Sequence, residues 1–384
     1  MIRIEDKAQC SGCSACMHAC PQGAISMYPD GLGFLYPQVD TDRCVGCGLC
    51  EQACPFRTDT PSRDAATLPE VYAVRHKRRE EMATSRSGAV FIALSDWILA
   101  QGGTVYGAGY ADHFRVVHKR AATPKERDEF KGSKYVQSDP GNVFAQVRAD
   151  LEQGRHVLFS GTPCQTAGLR SVLDLQHAPT EKLWLVDLVC HGVPAPYVWR
   201  DYLAYVEHRQ GEQALAVDFR DKSRLGWSAH EESFLFPKGK AIRRTYTDLF
   251  NKDIMFRLSC GVCPFACQQR PSDLTIGDFW GWEKVNAGFN ADNRGVSLLL
   301  INTEKGKRLF SRIRTETDYI PTTLESAMQP NLQHPTPIHP LRHQFEEDFI
   351  RYGFPYAGKK YGDLAFRTKV RRLLQSVKRH LYKR

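Results

Sequence analysis

Eight cysteines stand in the first 54 residues, in two runs of one spacing: Cys10-x2-Cys13-x2-Cys16-x3-Cys20-Pro21 and Cys44-x2-Cys47-x2-Cys50-x3-Cys54-Pro55. Two-residue gaps let successive thiolates converge on one iron–sulfur cubane. The fourth Cys, turned away at its proline, reaches across to the other cluster. The spacing therefore assigns Cys10, Cys13, Cys16 and Cys54 to one [4Fe–4S] cluster, and Cys44, Cys47, Cys50 and Cys20 to a second. Structural zinc also uses Cys-x2-Cys pairs, but it has no need of a third thiol two residues on or of a Cys-Pro repeated at one offset. Small residues fill the gaps (Ser11, Gly12, Ser14, Ala15, then Gly46 and Gly48). Their backbone N–H groups can approach the sulfurs and tune the potential. Such a module moves single electrons.

The spacing resembles the bacterial two-[4Fe–4S] ferredoxin module over residues 1–58. Thirteen cysteines in all is an odd and high number for a reducing compartment, where disulfides are rare. Three more are clustered, Cys260, Cys263 and Cys267, while Cys164 and Cys190 stand alone. Ser160-Gly161-Thr162-Pro163-Cys164-Gln165 follows an apolar segment and opens a helical pattern, with Pro163 suited to the first turn. A strand-to-helix turn of this kind aims free N–H groups at an anion or an electron-rich ring. Gly107-Ala108-Gly109 also follows a strand pattern, but no third glycine follows, so the dinucleotide fingerprint is not met. No Ser/His/Asp set or carboxylate pair suggests nucleophilic or acid–base catalysis.

These residues need elements to hold them. Segment 59–69, with two prolines and no aromatic residue, reads as a linker. Beyond it strands and helices alternate: strands at 71–75, 104–110, 115–118, 156–160 and 183–189, and others beginning at 275 and 296. Helices are expected at 87–101, 142–153 and 196–209. The fold class is an α+β ferredoxin-like two-cluster module followed by an α/β domain with a mixed sheet. Hydrophobic residues make up 42% and charged ones 25%, which excludes wholesale disorder.

Six motifs, SGAVF (87–91), GSKYVQSD (132–139), SGTPCQTAGL (160–169), LVCHGVP (188–194), SCGVCPF (259–265) and SDLTIGDFWG (272–281), resemble the coenzyme F420 hydrogenase/dehydrogenase beta-subunit family. The likeness runs in one order from about residue 70 to about 320. It implies regions at 70–154 and 155–322, and beyond it 323–384 reads as a C-terminal helical extension. It also implies FAD and a third [4Fe–4S] cluster, held by the cysteines that match, Cys164, Cys190, Cys260 and Cys263. Cys267 competes with Cys164 for the fourth position. Buried core thiols, or zinc on Cys190, His191, Cys260 and Cys263, are the rival readings. The flavin is expected against Ser87 and Gly88, taken as a helix N-terminus, against Lys134 and Tyr135, against Gly161, Thr162 and Gln165, and against Gly277 and Asp278, the last on ribose hydroxyls. The function implied is an oxidoreductase that passes electrons between clusters and FAD, with hydride transfer to or from coenzyme F420 or another organic substrate. Some relatives lie in polysaccharide gene neighbourhoods and others reduce chlorophyll-type pigments. Ferredoxin, coenzyme F420 or NAD(P)H would be the redox partner. A non-catalytic subunit of a larger redox complex, or a membrane-docked redox sensor, are the alternatives.

Charge and hydropathy bound the partners. Lys and Arg outnumber Asp and Glu by 52 to 43, giving +9. Residues 359–384 hold ten of those bases against one acid, Asp363, so the tail carries the whole excess and the body is neutral. A nucleic-acid enzyme would spread its charge over the body, so no nucleic acid is expected. The best apolar run, 88–100, is broken by Ser95 and Asp96, and the N-terminus MIRIEDKAQC has no signal-like core. A cytoplasmic location is expected. Phe366, Val370, Leu373, Leu374, Val377 and Leu381 fall on one face of a basic helix over 364–384. Plain packing and attachment to the inner face of the cytoplasmic membrane are both open for it.

Overall fold

Thiols two residues apart leave room for barely one helical turn between them. In the computed structural model, which describes residues 1–57 and 68–365, each cysteine run accordingly contains a single short helix, α1 (Ala15–His18) and α2 (Leu49–Gln52). The duplication extends to the backbone. Gly12 and Gly46 both adopt φ near 70°, and Ser14 and Gly48, the residues before the two helices, are both left-handed. Between the runs, β1 (Ile25–Pro29) pairs antiparallel with β2 (Leu35–Val39). Asp30 closes the hairpin by accepting from Leu32 N and Phe34 N at 3.0 Å. The linker over 58–67 and the basic tail over 366–384 lie outside the described residues.

The body begins with β3 (Glu70–His76), α3 (Arg79–Thr84), α4 (Val90–Ala100), β4 (Thr104–Tyr110) and β5 (Val116–Ala121). It continues through α5 (Pro124–Arg127), α6 (Val143–Glu152), β6 (Val157–Gly161), α7 (Pro163–Leu175), β7 (Leu183–Leu188) and α8 (Pro196–Gln210). Then come β8 (Ala216–Asp218), β9 (Glu232–Phe236), β10 (Gly239–Arg243), α9 (Thr245–Phe250), β11 (Leu274–Asp278) and β12 (Ser297–Ile301). The last elements are α10 (Glu304–Ile313), β13 (Thr317–Thr322) and α11 (Arg342–Lys360).

One sheet has the order β13-β3-β12-β11-β7-β6-β4-β5 and a second the order β10-β9-β8. The middle of the large sheet, β11-β7-β6-β4, is parallel and its flanks are antiparallel, so the sheet is mixed. Its parallel strands are near-continuous apolar runs because helices cover both faces. Val90, Leu94 and Ile98 of α4 pack on one face with Leu309 and Phe310 of α10, and Val147 of α6 and Leu169 and Val172 of α7 pack on the other.

The N-terminal module is sealed onto this body. Cys13, Ala15, Ala19 and Ala53 join the core beneath α6 and α7, and Leu32 and Phe34 enter the core of α8, α9 and α11. Burying Leu32 and Phe34 contributes about 1.5–3 kcal/mol each. The helix expected to begin at Ser87 begins at Val90, because Ala89 takes φ 58° and no α-helix starts through a left-handed residue. Among the described residues no helix is long and apolar enough to cross a membrane.

Candidate functional site

Cys10, Cys13, Cys16 and Cys50 are buried, while Cys47 is exposed. Burial raises the Cys16 thiol, and the charges of Cys13, Cys10 and Cys54 act on it in the same direction, so these four sulfurs are neighbours. Cys20, Cys44, Cys47 and Cys50 line one cavity. Main-chain N–H groups already point at sulfur there: Ile2 N donates to Cys50 Sγ and Ala24 N to Cys20 Sγ, both at 3.3 Å.

A second thiol-lined cavity lies in the body. Cys164 comes from the first turn of α7, Cys190 from the loop after β7, and Cys260 and Cys263 from a turn of 3-10 helix over Leu258–Val262. All four line it, together with Ser11, Phe56 and Arg257. Burial pushes the Cys190, Cys260 and Cys263 thiols up to about 12, and the charges of neighbouring thiolates push the same way. Four such groups turned to one cavity repel as thiolates, and a cationic iron core offsets both burial and repulsion. The donor set fits a [4Fe–4S] cluster. Among the described residues no three His, Cys, Asp or Glu side chains converge as a site for one metal ion.

Cys267 is not in this cavity. Its Sγ donates to the carbonyls of Pro264 and Gln269, at 3.4 and 3.1 Å. Arg270 holds the turn that carries Cys263. Its guanidinium donates to Phe265 O at 2.6 Å, to Leu188 O at 2.9 Å and to Asp187 at 3.1 Å, and the Asp187–Arg270 pair is fully buried. Sequence reasoning missed this pair, since nothing in the local pattern marks a β7 aspartate as the partner of an arginine 83 residues on.

The first thiol set and the third touch. Ser11, in the Cys10–Cys13 loop, lines the cavity beside Cys164, and the Cys164 charge acts on the Cys13 thiol. On its other side the third set meets a large pocket: Thr162, Cys190, His191 and Asn331 line both cavities.

That pocket holds about 450 Å³ and opens at the carboxyl ends of β6, β7 and β11, where parallel sheets place ligand sites. Ser87, Lys134, Tyr135, Gly161, Thr162, Gln165, Gly277 and Asp278 line it. Gly88 does not. It sits on the sheet, where a Cβ would stand 2.0 Å from Val74 O. Ser87 caps no helix, because its hydroxyl donates to Val296 O at 2.6 Å. The Lys134 ammonium is spent on the carbonyls of Glu129 and Lys131, at 2.8 and 2.9 Å. Gln165 accepts from the N–H and hydroxyl of Thr162, both at 3.0 Å, which shapes the turn before α7.

Asp278 is already engaged by Arg220 and by Trp227 Nε1. Burial acts against the carboxylate, yet Arg220 and Arg86 hold it below the ordinary range. Its expected partner, a ribose, would have to share it. Trp280 lines the pocket, stacks on buried Trp227 at 4.7 Å and on His230 at 6.1 Å, and has the Arg220 guanidinium 5.4 Å from its ring centre. Arg86 and Arg220 give the pocket a basic wall that the sequence did not signal.

Residues 154–325 match the family described as the C terminus of the coenzyme F420 hydrogenase/dehydrogenase beta subunit. Residues 9–58 match a 4Fe-4S dicluster domain. The beta-subunit match covers α7, the Cys190 loop, the Cys260 turn and β11. Together the two matches describe an iron–sulfur protein of oxidoreductase type, related to coenzyme F420 hydrogenase beta subunits. Among solved structures, the chain is similar to one in the F420-reducing [NiFe] hydrogenase complex from Methanosarcina barkeri, studied as a xenon derivative. The two are 15% identical with a TM-score of 0.47, over 76% of this chain and 90% of that one. No curated protein matches the sequence.

Proposed function

We propose that this beta-subunit homologue is an FAD- and [4Fe–4S]-dependent oxidoreductase in which Cys164, Cys190, Cys260 and Cys263 hold a third cluster. The observation that carries the reading is continuity: Ser11 of the first thiol run lines the cavity of the third set, and the third shares Cys190 and Thr162 with the large pocket. When bound, the clusters supply one-electron transfer and the flavin supplies the junction between one-electron and two-electron chemistry.

The residues of this chain bind and insulate. Gly161 and Thr162 line the pocket at the turn before α7, Arg86 and Arg220 favour phosphate, and the Trp280 ring adds an aromatic surface to the same wall. The packed module excludes water from Cys10, Cys13 and Cys16, and the exposed Cys47 loop faces outward toward a redox partner. Ferredoxin, coenzyme F420 and NAD(P)H are the candidate partners, with a companion redox subunit as the setting in which turnover occurs. Membrane docking through the tail rests on its basic charge and the apolar spacing in its sequence, and liposome flotation of the full chain against a truncation at Gly358 tests it.

The deciding experiment is anaerobic purification followed by iron and flavin determination. Each of the three donors or acceptors is then assayed on the isolated chain. Iron for three clusters with one FAD is expected. Full iron without flavin, after incubation with excess FAD, would overturn the flavin assignment and leave an electron-transfer subunit.

A further inference from the structure

Arg257 is completely buried. The other buried guanidiniums around the site each face a carboxylate: Arg220 faces Asp278, Arg270 faces Asp187 and Arg342 faces Glu346. Among the described residues Arg257 has no such partner. Its Nε donates to Cys10 O at 2.7 Å, Nη2 to Leu35 O at 2.8 Å and toward Cys10 Sγ at 3.5 Å, and Nη1 to Gln137 Oε1 at 3.0 Å. Gln137 in turn donates to Ser11 O at 2.7 Å. The guanidinium also lies 4.2 Å from the Tyr36 ring centre. On its other side the same residue lines the cavity of Cys164, Cys190, Cys260 and Cys263, and its carbonyl accepts from Cys260 N at 3.0 Å.

A buried cation with only neutral partners is costly unless an anion stands nearby. The anions that fit are the thiolate-bound clusters, one on each side. We propose that Arg257 is a positioning residue that acts as the shared counter-charge of the first and third clusters, raising both reduction potentials together while it pins the Cys10 loop to the Cys260 turn. An electron added to either cluster is attracted by the same fixed charge, strongly so in a water-free setting. The second cluster, on Cys20, Cys44, Cys47 and Cys50, has no contact with Arg257 and keeps its own potential.

The inference rests on the third-cluster reading, and the test separates the two. Full-length Arg257→Gln and Arg257→Lys proteins, purified anaerobically with the native chain, are titrated with dithionite and each cluster is followed by electron paramagnetic resonance. At a fixed poise, each cluster takes one electron from dithionite. The reduced-to-oxidised ratio of the first and third clusters should fall about tenfold in Arg257→Gln, which is 59 mV for one electron. The second cluster should not move, and Arg257→Lys should stay within about twofold of native. Unchanged first and third clusters in Arg257→Gln, or an equal shift in all three, would overturn the proposal. If Arg257→Gln fails to retain clusters, Arg257→Lys and Gln137→Met decide, since both keep the charge. Native-like potentials in both support the proposal, and a shift in Arg257→Lys as large as tenfold refutes it. Iron for only two clusters in the native chain would remove the third-cluster reading, and the first cluster's shift alone would then judge Arg257.

Discussion

A Cβ built on Gly168, in the middle of α7, would stand 3.0 Å from the sulfur of Cys13. It would also lie 3.2 Å from the Ala15 Cβ, so the cluster-binding loop and the pocket helix meet with no space for a methyl group. Alanine would gain about 1 kcal/mol of helix propensity, but overpacking here costs about 1–3 kcal/mol because the opposing atoms are fixed by the cysteine run. Gly168→Ala should lower the anaerobic urea midpoint, and Gly168→Val should lower it further while loosening the first cluster. Equal stability of all three proteins would show that the module is not pressed against α7.

Loss of cluster ligands should affect the pocket unequally. Cys47 lies on an exposed loop and Cys13 packs against α7. Cys47→Ser should lose one cluster and bind FAD as the native protein does. Cys13→Ser should lose one cluster and also weaken FAD binding several-fold, read by fluorescence quenching. Equal FAD affinity in the two variants would contradict the shared wall.

Cys164 and Cys267 are separated by iron content. Cys164→Ser removes one of the four thiols around the body cavity and should lose about a third of the iron. Cys267→Ser removes a thiol that points at two carbonyls and should keep all of it. The opposite pattern would make Cys267 the ligand.

Asp187→Asn leaves the Arg270 guanidinium buried without an opposing charge. Breaking one side of a buried pair costs about 3–5 kcal/mol. Because Arg270 also holds Phe265 O and Leu188 O, the loss should appear both in stability and in iron at the Cys260–Cys263 turn. A variant with native urea midpoint and full iron would show that the turn is held by other contacts.

His118 is buried and stacked on Phe159, with Nε2 donating to Ser160 O and Nδ1 accepting from Ser138 Oγ. Burial pushes its imidazole down to about 4 from 6.5. Below pH 6.5 the unfolded chain takes up a proton that the folded chain refuses, so this stability is present above pH 6.5 and is lost as pH falls toward 4. The full effect is about 3 kcal/mol. His118→Gln should flatten the fall in urea midpoint between pH 7 and 5, and an unaltered slope would place the acid sensitivity elsewhere.

Local spacing made the N-terminal module legible. Its thiols are two or three residues apart, so the chain between them has few conformations and the donor pattern is written in consecutive residues. The parallel strands were legible for a similar reason, since segments such as 157–161 and 183–188 are apolar runs buried on both faces. The start of α4 was not. Ala89 takes a left-handed conformation because Gly88 and Ser87 are pinned to the sheet, and no local rule assigns that to alanine.

The body site divides along the same line. That Cys164, Cys190, Cys260 and Cys263 exist, and that two of them are spaced for one turn, is a property of the sequence. Which thiols share a cavity was decided by β6, β7 and the Arg270–Asp187 pair, which bring segments some 25 to 70 residues apart to one sheet end and turn Cys267 away. The docking of the module belongs wholly to the tertiary structure. Gly168, Arg257 and Gln137 carry no sequence signal toward Cys10 and Cys13, because long-range packing depends on which surfaces remain uncovered after each element has formed.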